Sequence, residues 1–117
     1  MTIGELVKEI ETIAGKFEFI RNVVKIDVTD FSVKYRLMIA EDFNVQVYIN
    51  LRKGTTGLAL IFHGQRLYGR DSEEWKWHRH PFEDPDSHDF SAEGCQEVRL
   101  EEFLQEVRDI LERAKLI

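Results

Sequence analysis

The sequence predicts an α+β fold: an antiparallel meander sheet of about five strands, with an N-terminal and a C-terminal helix packed on one face. Three observations predict it. Apolar residues recur at helical spacing at both ends of the chain. Between them the hydrophobic period switches to two. The alternating stretches are joined by connections too short for crossovers, so sequential stretches must pair as antiparallel neighbours.

The first helix starts at a capping box. Thr2 and Glu5 stand three apart, so that each side chain satisfies a free backbone N–H of the first turn. Ile3, Leu6, Val7, Ile10, Ile13 and Ala14 form its apolar face, and Gly15 is expected to end it in the left-handed conformation. From Phe17 to Arg70 the chain alternates. Val24, Ile26 and Val28 make one apolar set, then Phe31, Val33, Tyr35, Leu37 and Ile39, then Phe43, Val45, Val47, Ile49 and Leu51. Thr29-Asp30 and Glu41-Asp42 read as hairpin turns, and Lys53 to Gly57 as a loop with two glycines. Leu58 to Phe62 is apolar on both faces, hence central. A short strand from Arg66 to Gly69 follows.

Periodicity stops at Asp71. The stretch to Glu97 is expected to be mostly loop, with a short strand near Gln96 to Val98. The last helix shows Leu100, Phe103, Leu104, Val107, Ile110, Leu111 and Ala114 on one face. Glu101 and Glu102 in its first turn and Arg113 and Lys115 in its last suit the helix dipole.

Composition narrows the function classes. The chain has 117 residues, 43% hydrophobic and 32% charged, which fits one globular domain over residues 1–117. No apolar run approaches the roughly 20 residues that span a bilayer, so no membrane association is expected. The start, MTIGELVKEIE, lacks the pattern of a secretory signal, and the single cysteine, Cys95, forms no internal disulfide. Both point to the cytoplasm. A net charge of -6 opposes broad electrostatic binding of nucleic acid, though it leaves room for a local basic cleft.

Chemistry concentrates between Arg70 and Phe90, in R-D-S-E-E-W-K-W-H-R-H-P-F-E-D-P-D-S-H-D-F. On an extended backbone His78 and His80 point the same way, and His88 follows shortly after. With Asp84, Asp86 and Asp89 nearby, three imidazoles plus a carboxylate suit zinc or another divalent transition metal. The same imidazoles also suit metal-free acid–base chemistry. RNA cleavage by its own 2′-hydroxyl needs a base, an acid and a cation on the phosphate. His78, His80 or His88 would supply the first two and Arg70 or Arg79 the third. Trp75, Trp77 and Tyr68 are candidates to stack on bases. A third alternative is a packed loop, with the tryptophans filling a core edge and the prolines stiffening a connection. Lys34, Arg36, Gln46, Tyr48, Asn50 and Arg52 fall on the polar side of adjacent strands, either as a mildly basic face for phosphate or as solvated surface.

The order of elements resembles a known family. K-Y-R-L and V-Q-V-Y in a meander, then R-L-Y-G-R-D, then W-H-R-H-P-F and P-D-S-H, then the helix L-E-E-F-L-Q-E-V-R-D-I-L are similar to the TumE-like toxins of toxin–antitoxin modules. The likeness covers residues 30–112. The family's paired histidine is split here into H-R-H, and Ser72 replaces the asparagine after its aspartate. The resemblance places Asp71, His78, His80 and His88 in the family's histidine–aspartate cluster. It implies growth inhibition by RNA cleavage or modification, neutralised by an antitoxin protein; an acidic toxin would suit a basic partner. The alternative class is a non-catalytic module that binds a protein through its sheet face and the Trp75 to Phe82 segment. An exposed edge strand would also let two copies pair as a homodimer.

Overall fold

The computed structural model describes residues 1–116, leaving Ile117 outside the described residues. Helix α1 (Ile3–Ala14) precedes six strands, β1 (Asn22–Val28), β2 (Ser32–Ala40), β3 (Phe43–Asn50), β4 (Thr55–Phe62), β5 (Gln65–Glu73) and β6 (Lys76–His80), and helix α2 (Leu100–Arg113) closes the chain. The strands pair in sequence order, all antiparallel, as one open sheet. This is the expected α+β meander with one strand more.

Both helices cover the same face. Leu6, Ile10 and Ala14 of α1 and Phe103, Leu104, Val107 and Leu111 of α2 are buried with Val33, Tyr35, Leu37, Val45, Val47, Leu58, Leu60 and Tyr68 of the sheet. Strands β2 to β5 contribute alternate residues, so the neighbours of these positions point to the other face, which neither helix covers. The capping box forms as expected, with Glu5 N donating to Thr2 Oγ1 at 3.1 Å and Thr2 N to Glu5 Oε1 at 3.0 Å. No helix is long and apolar enough to cross a membrane, among the described residues.

Four local expectations are corrected. Gly15 has φ -67°, so α1 ends in right-handed geometry; its N–H still reaches the carbonyl of Glu11. In β1 a bulge at Ile26 breaks the alternation. Val28 then lies opposite Val33 and Val24 opposite Arg36, on different faces. The edge position leaves Ile26 40% and Val28 39% exposed. The stretch after Asp71 is not loop from the start: β5 runs on to Glu73 and β6 returns to His80. Gln96 to Val98 is not a strand.

The β5–β6 turn explains why the extra strand was hidden. It is made by Glu74 at φ 50° and Trp75 at φ 67°. That conformation favours glycine or asparagine, so no turn signal marks it. Tertiary contacts hold it instead. The Trp75 N–H donates to the Gly54 carbonyl at 3.0 Å, and the indole lies where a side chain at Gly54 would be.

Candidate functional site

The parity of β5 and β6 sorts the residues between Tyr68 and His80 into two groups. Asp71 lies opposite His78, and Gly69 opposite His80. These four face away from the helices. Tyr68, Arg70 and Ser72 on β5, with Trp77 and Arg79 on β6, face toward them.

His88 reaches the same outer group by a loop that folds back. Two consecutive turns, Asp84 N to the Pro81 carbonyl and Ser87 N to the Asp84 carbonyl, reverse the chain. Asp89 then pairs with Arg79 through backbone bonds in both directions, 3.1 and 2.8 Å. This short bridge continues the sheet by one residue. Asp89 takes the helix side, where its carboxylate accepts from Arg79 Nε at 2.8 Å, and His88 and Phe90 take the outer side.

These pairings build one compact constellation. The rings of His78, His80 and His88 have centroids 4.7 to 5.0 Å apart. Each offers a nitrogen within 4.8 Å of the others. His78 Nε2 and His80 Nε2 are 3.1 Å apart. Asp71 Oδ2 lies 3.3 Å from His80 Nε2 and 3.7 Å from His78 Nε2. Phe90 packs on the rings of His78 and His88. His80 is buried, His78 half-buried and His88 exposed, so the cluster is closed below and open above.

Hydrogen bonding sets the tautomer of His80. Its Nδ1 is 3.0 Å from the Pro85 carbonyl. A carbonyl only accepts, so Nδ1 carries the hydrogen. The Nε2 of neutral His80 therefore presents a lone pair toward Asp71 and His78. Burial lowers the His80 pKa, and the charge of Arg66 lowers it further, which outweighs the pull of Asp71 and keeps the ring neutral near pH 7. The lone pair of His80 Nε2 and the Asp71 carboxylate oxygen face each other at 3.3 Å. His78 Nε2, 3.1 Å away, is placed to donate to that lone pair; with no proton or metal ion between them, the His80 lone pair and the Asp71 carboxylate repel.

Arg66 also reaches the cluster, which the alternation of the sequence does not show. The β4–β5 register shifts between Leu60 and Ile61, so that Tyr68 opposes Leu60 while Arg66 opposes Ile61. The bulge at Leu67 turns Arg66 from the helix side to the outer side. Its stem crosses Gly69, where a Cβ would come within 3.2 Å of Arg66 Cδ. Its Nη1 ends 3.8 Å from Asp71 Oδ2, and its buried Nε has no partner. That separation is too long for a hydrogen bond. The one signal in the sequence was Gly69, a residue that permits close approach.

The expected substrate residues Arg70, Arg79, Trp77 and Tyr68 are not brought to the cluster. Arg70 is 2% exposed and binds Glu106 of α2 through two nitrogens, at 3.1 and 2.7 Å, while its Nη1 donates to the Glu93 carbonyl. Tyr68 also donates to Glu106, at 2.8 Å. Arg79 is held by Asp89 and Glu93, and Trp77 packs on the core. These residues tie the sheet to α2 and to the returning loop. Trp75 is 69% exposed at the hairpin tip, outside the cluster.

Burial, followed by the charge and hydrogen bond of Glu106, pushes the Tyr68 pKa from 10.0 up to about 12. The folded protein then holds a proton that the unfolded chain releases. Stability should therefore fall as pH rises from about 10 to about 12. Chemical denaturation across that range, with Tyr68→Phe showing a weaker dependence, checks it; an identical slope in both proteins would contradict the assignment.

No family model, curated protein or solved structure matches the chain.

Proposed function

We propose that Asp71, His78, His80 and His88 bind a divalent transition metal of the zinc class, and that the protein is a metal-dependent enzyme acting at the open side of this site. The observation that carries the reading is the spacing of the donors. Ligands about 2.0–2.1 Å from a tetrahedral ion are about 3.3–3.4 Å from one another. His78 Nε2, His80 Nε2 and Asp71 Oδ2 form a triangle with edges of 3.1, 3.3 and 3.7 Å. The three histidines offer nitrogens within 4.8 Å of one another, a group that does not include Asp71, so the exposed His88 would either move toward the carboxylate to complete a four-residue set or yield its place to water and substrate. The Pro85 carbonyl on His80 Nδ1 orients that ring as outer-shell partners of metal-bound histidines do.

Metal-free acid–base catalysis fits less well. A general acid and a general base for phosphoryl transfer stand on either side of the phosphorus, near the entering and leaving oxygens. His78 Nε2 and His80 Nε2, 3.1 Å apart, leave no room for a phosphate between that pair. A bound metal would polarise a phosphoryl oxygen or activate a water. The resemblance to TumE-like toxins supplies the substrate class in this reading, RNA, and a protein antitoxin as partner.

The test is titration of the metal-free protein with Co²⁺ and Zn²⁺. Co²⁺ should produce visible absorption of tetrahedral type, and Zn²⁺ should displace it at one equivalent. Absence of any one-to-one binding at micromolar metal would end the proposal. RNA cleavage is assayed on the same samples, with chelator as control.

A further inference from the structure

We infer that Arg66 is the anion-recognition residue of this site, holding a phosphate oxygen of the substrate beside Asp71 and the histidines. The inference rests on the metal-site reading and deepens it by naming the substrate's charged group and its protein partner.

The placement of Arg66 is the first support. Two features bring it there, the bulge at Leu67 that reverses its face and the bare surface of Gly69 under its stem. Of Arg66, Arg70 and Arg79, it is the one whose side chain faces the cluster. Arg70 and Arg79 lie on the other face, and their hydrogen bonds go to Glu106, Glu93 and Asp89.

The second support is what Arg66 lacks. At 3.8 Å from Asp71 it makes no hydrogen bond to the carboxylate, and its Nε has no partner although it is shielded from water. A guanidinium offers five donors in a planar fork that matches two oxygens of a phosphate. The Arg66 side chain is 35% exposed, so part of that fork remains open to a ligand.

The third support is charge. One carboxylate and three neutral imidazoles around a divalent ion leave a net positive centre, and Arg66 adds a second positive charge beside it. The carboxylate nearest Arg66, Asp71 at 3.8 Å, would then be shared with the metal, so the two positive charges are only partly compensated. An anion bridging the two removes the conflict, and a phosphate group matches both its sign and its oxygen spacing.

Arg66→Gln and Arg66→Lys test this. Two probes are used: inorganic phosphate on the metal-free protein, and a fluorescent deoxythymidine trinucleotide on the metal-free and Zn²⁺-loaded protein. The deoxy probe lacks the 2′-hydroxyl, so binding is read without self-cleavage. Arg66→Gln should weaken both probes about tenfold or more, as loss of hydrogen bonds to a charged group does. Its Zn²⁺ affinity should not fall, since the ligand set is intact and a neighbouring positive charge is removed. Arg66→Lys should recover part of the loss, because it keeps the charge and not the fork. Weakening of the trinucleotide alone would assign Arg66 to diesters, and of both probes to phosphate in general; either supports the inference. Equal affinities in wild type and Arg66→Gln would overturn it, as would failure of both probes to bind wild type. Loss of Zn²⁺ affinity together with probe binding would make Arg66 a positioning residue for Asp71 and overturn it too. If wild type takes up no metal, the metal-site reading falls, and the phosphate titration of the metal-free protein still decides the role of Arg66.

Discussion

Replacing His78 with alanine is expected to lower affinity for Zn²⁺ or Co²⁺ by more than about 100-fold while leaving the metal-free protein folded. The magnitude follows from a comparison: losing even an outer-shell partner of a metal ligand costs about 10- to 100-fold, and His78 supplies a nitrogen of the inner set. Its Nε2 lies within 3.1 Å of His80 Nε2 and 3.7 Å of Asp71 Oδ2, so two edges of the donor triangle vanish with it. Structural damage should be small. The His78 side chain is 17% exposed on the face that neither helix covers, whereas that of His80 is 3% exposed and bound to Pro85. His63, exposed in the β4–β5 turn and outside the cluster, serves as control. Competition against a chromophoric chelator reads the affinity, and a melting curve without metal reads the fold. Wild-type affinity in His78→Ala, with His63→Ala also unchanged, would show that metal binding does not use the cluster.

Removing the carboxylate of Glu106 should produce the largest change in stability. Arg70 sits among the core residues at 2% exposure, and Glu106 carries its countercharge through two hydrogen bonds. Breaking a buried pair from one side costs about 3–5 kcal/mol, because the remaining charge is left without a partner. Glu106 keeps 31% side-chain exposure. Water therefore partly solvates the gap and the lower end applies, about 3 kcal/mol. For a domain of this size that lowers Tm by about 10 °C. The Tyr68 hydroxyl loses its acceptor in the same step. The double replacement Arg70→Met with Glu106→Leu removes both charges, and its Tm should return most of the way to wild type. Thermal melts followed by circular dichroism distinguish the cases. A double variant no more stable than Glu106→Ala would mean that the pair contributes packing rather than compensated charge. Zn²⁺ affinity should be unchanged in either variant, since the network lies on the opposite face from the histidines.

How legible the site was depended on how far the strand pattern was followed. The alternation of Val33, Tyr35, Leu37 and of Val45, Val47 identified the buried face directly, because a residue period of two maps onto two faces without further information. The same rule, carried through β5 and β6, separates Asp71, His78 and His80 from Tyr68, Arg70, Trp77 and Arg79. The rule reaches β5 and β6 only once the turn at Glu74 and Trp75 is known, because neither residue announces one. Gly54, before β4 in the chain, supplies the contact that holds it. Arg70 and Arg79 therefore looked like neighbours of the histidines. One step of parity puts them on the other side of the sheet, against acids contributed by α2 and the returning loop. Arg66 was missed for the opposite reason. Simple alternation assigns it to the face of Tyr68, and only the bulge at Leu67 reverses it.

By itself the sequence determined the α+β class, the meander order, both helices and the concentration of histidines after Asp71. Those features depend on local periodicity, caps and short connections, which act over a few residues. Tertiary structure alone decided three things: that His88 returns to His78 and His80, that Arg66 joins them, and that Arg70 and Arg79 do not. Each depends on a pairing across the sheet or between sheet and helix, through the Arg79–Asp89 bridge, the Leu67 bulge and Glu106 of α2. A shift of one residue at any of these moves a side chain to the opposite face. Composition and spacing carry no record of such a shift.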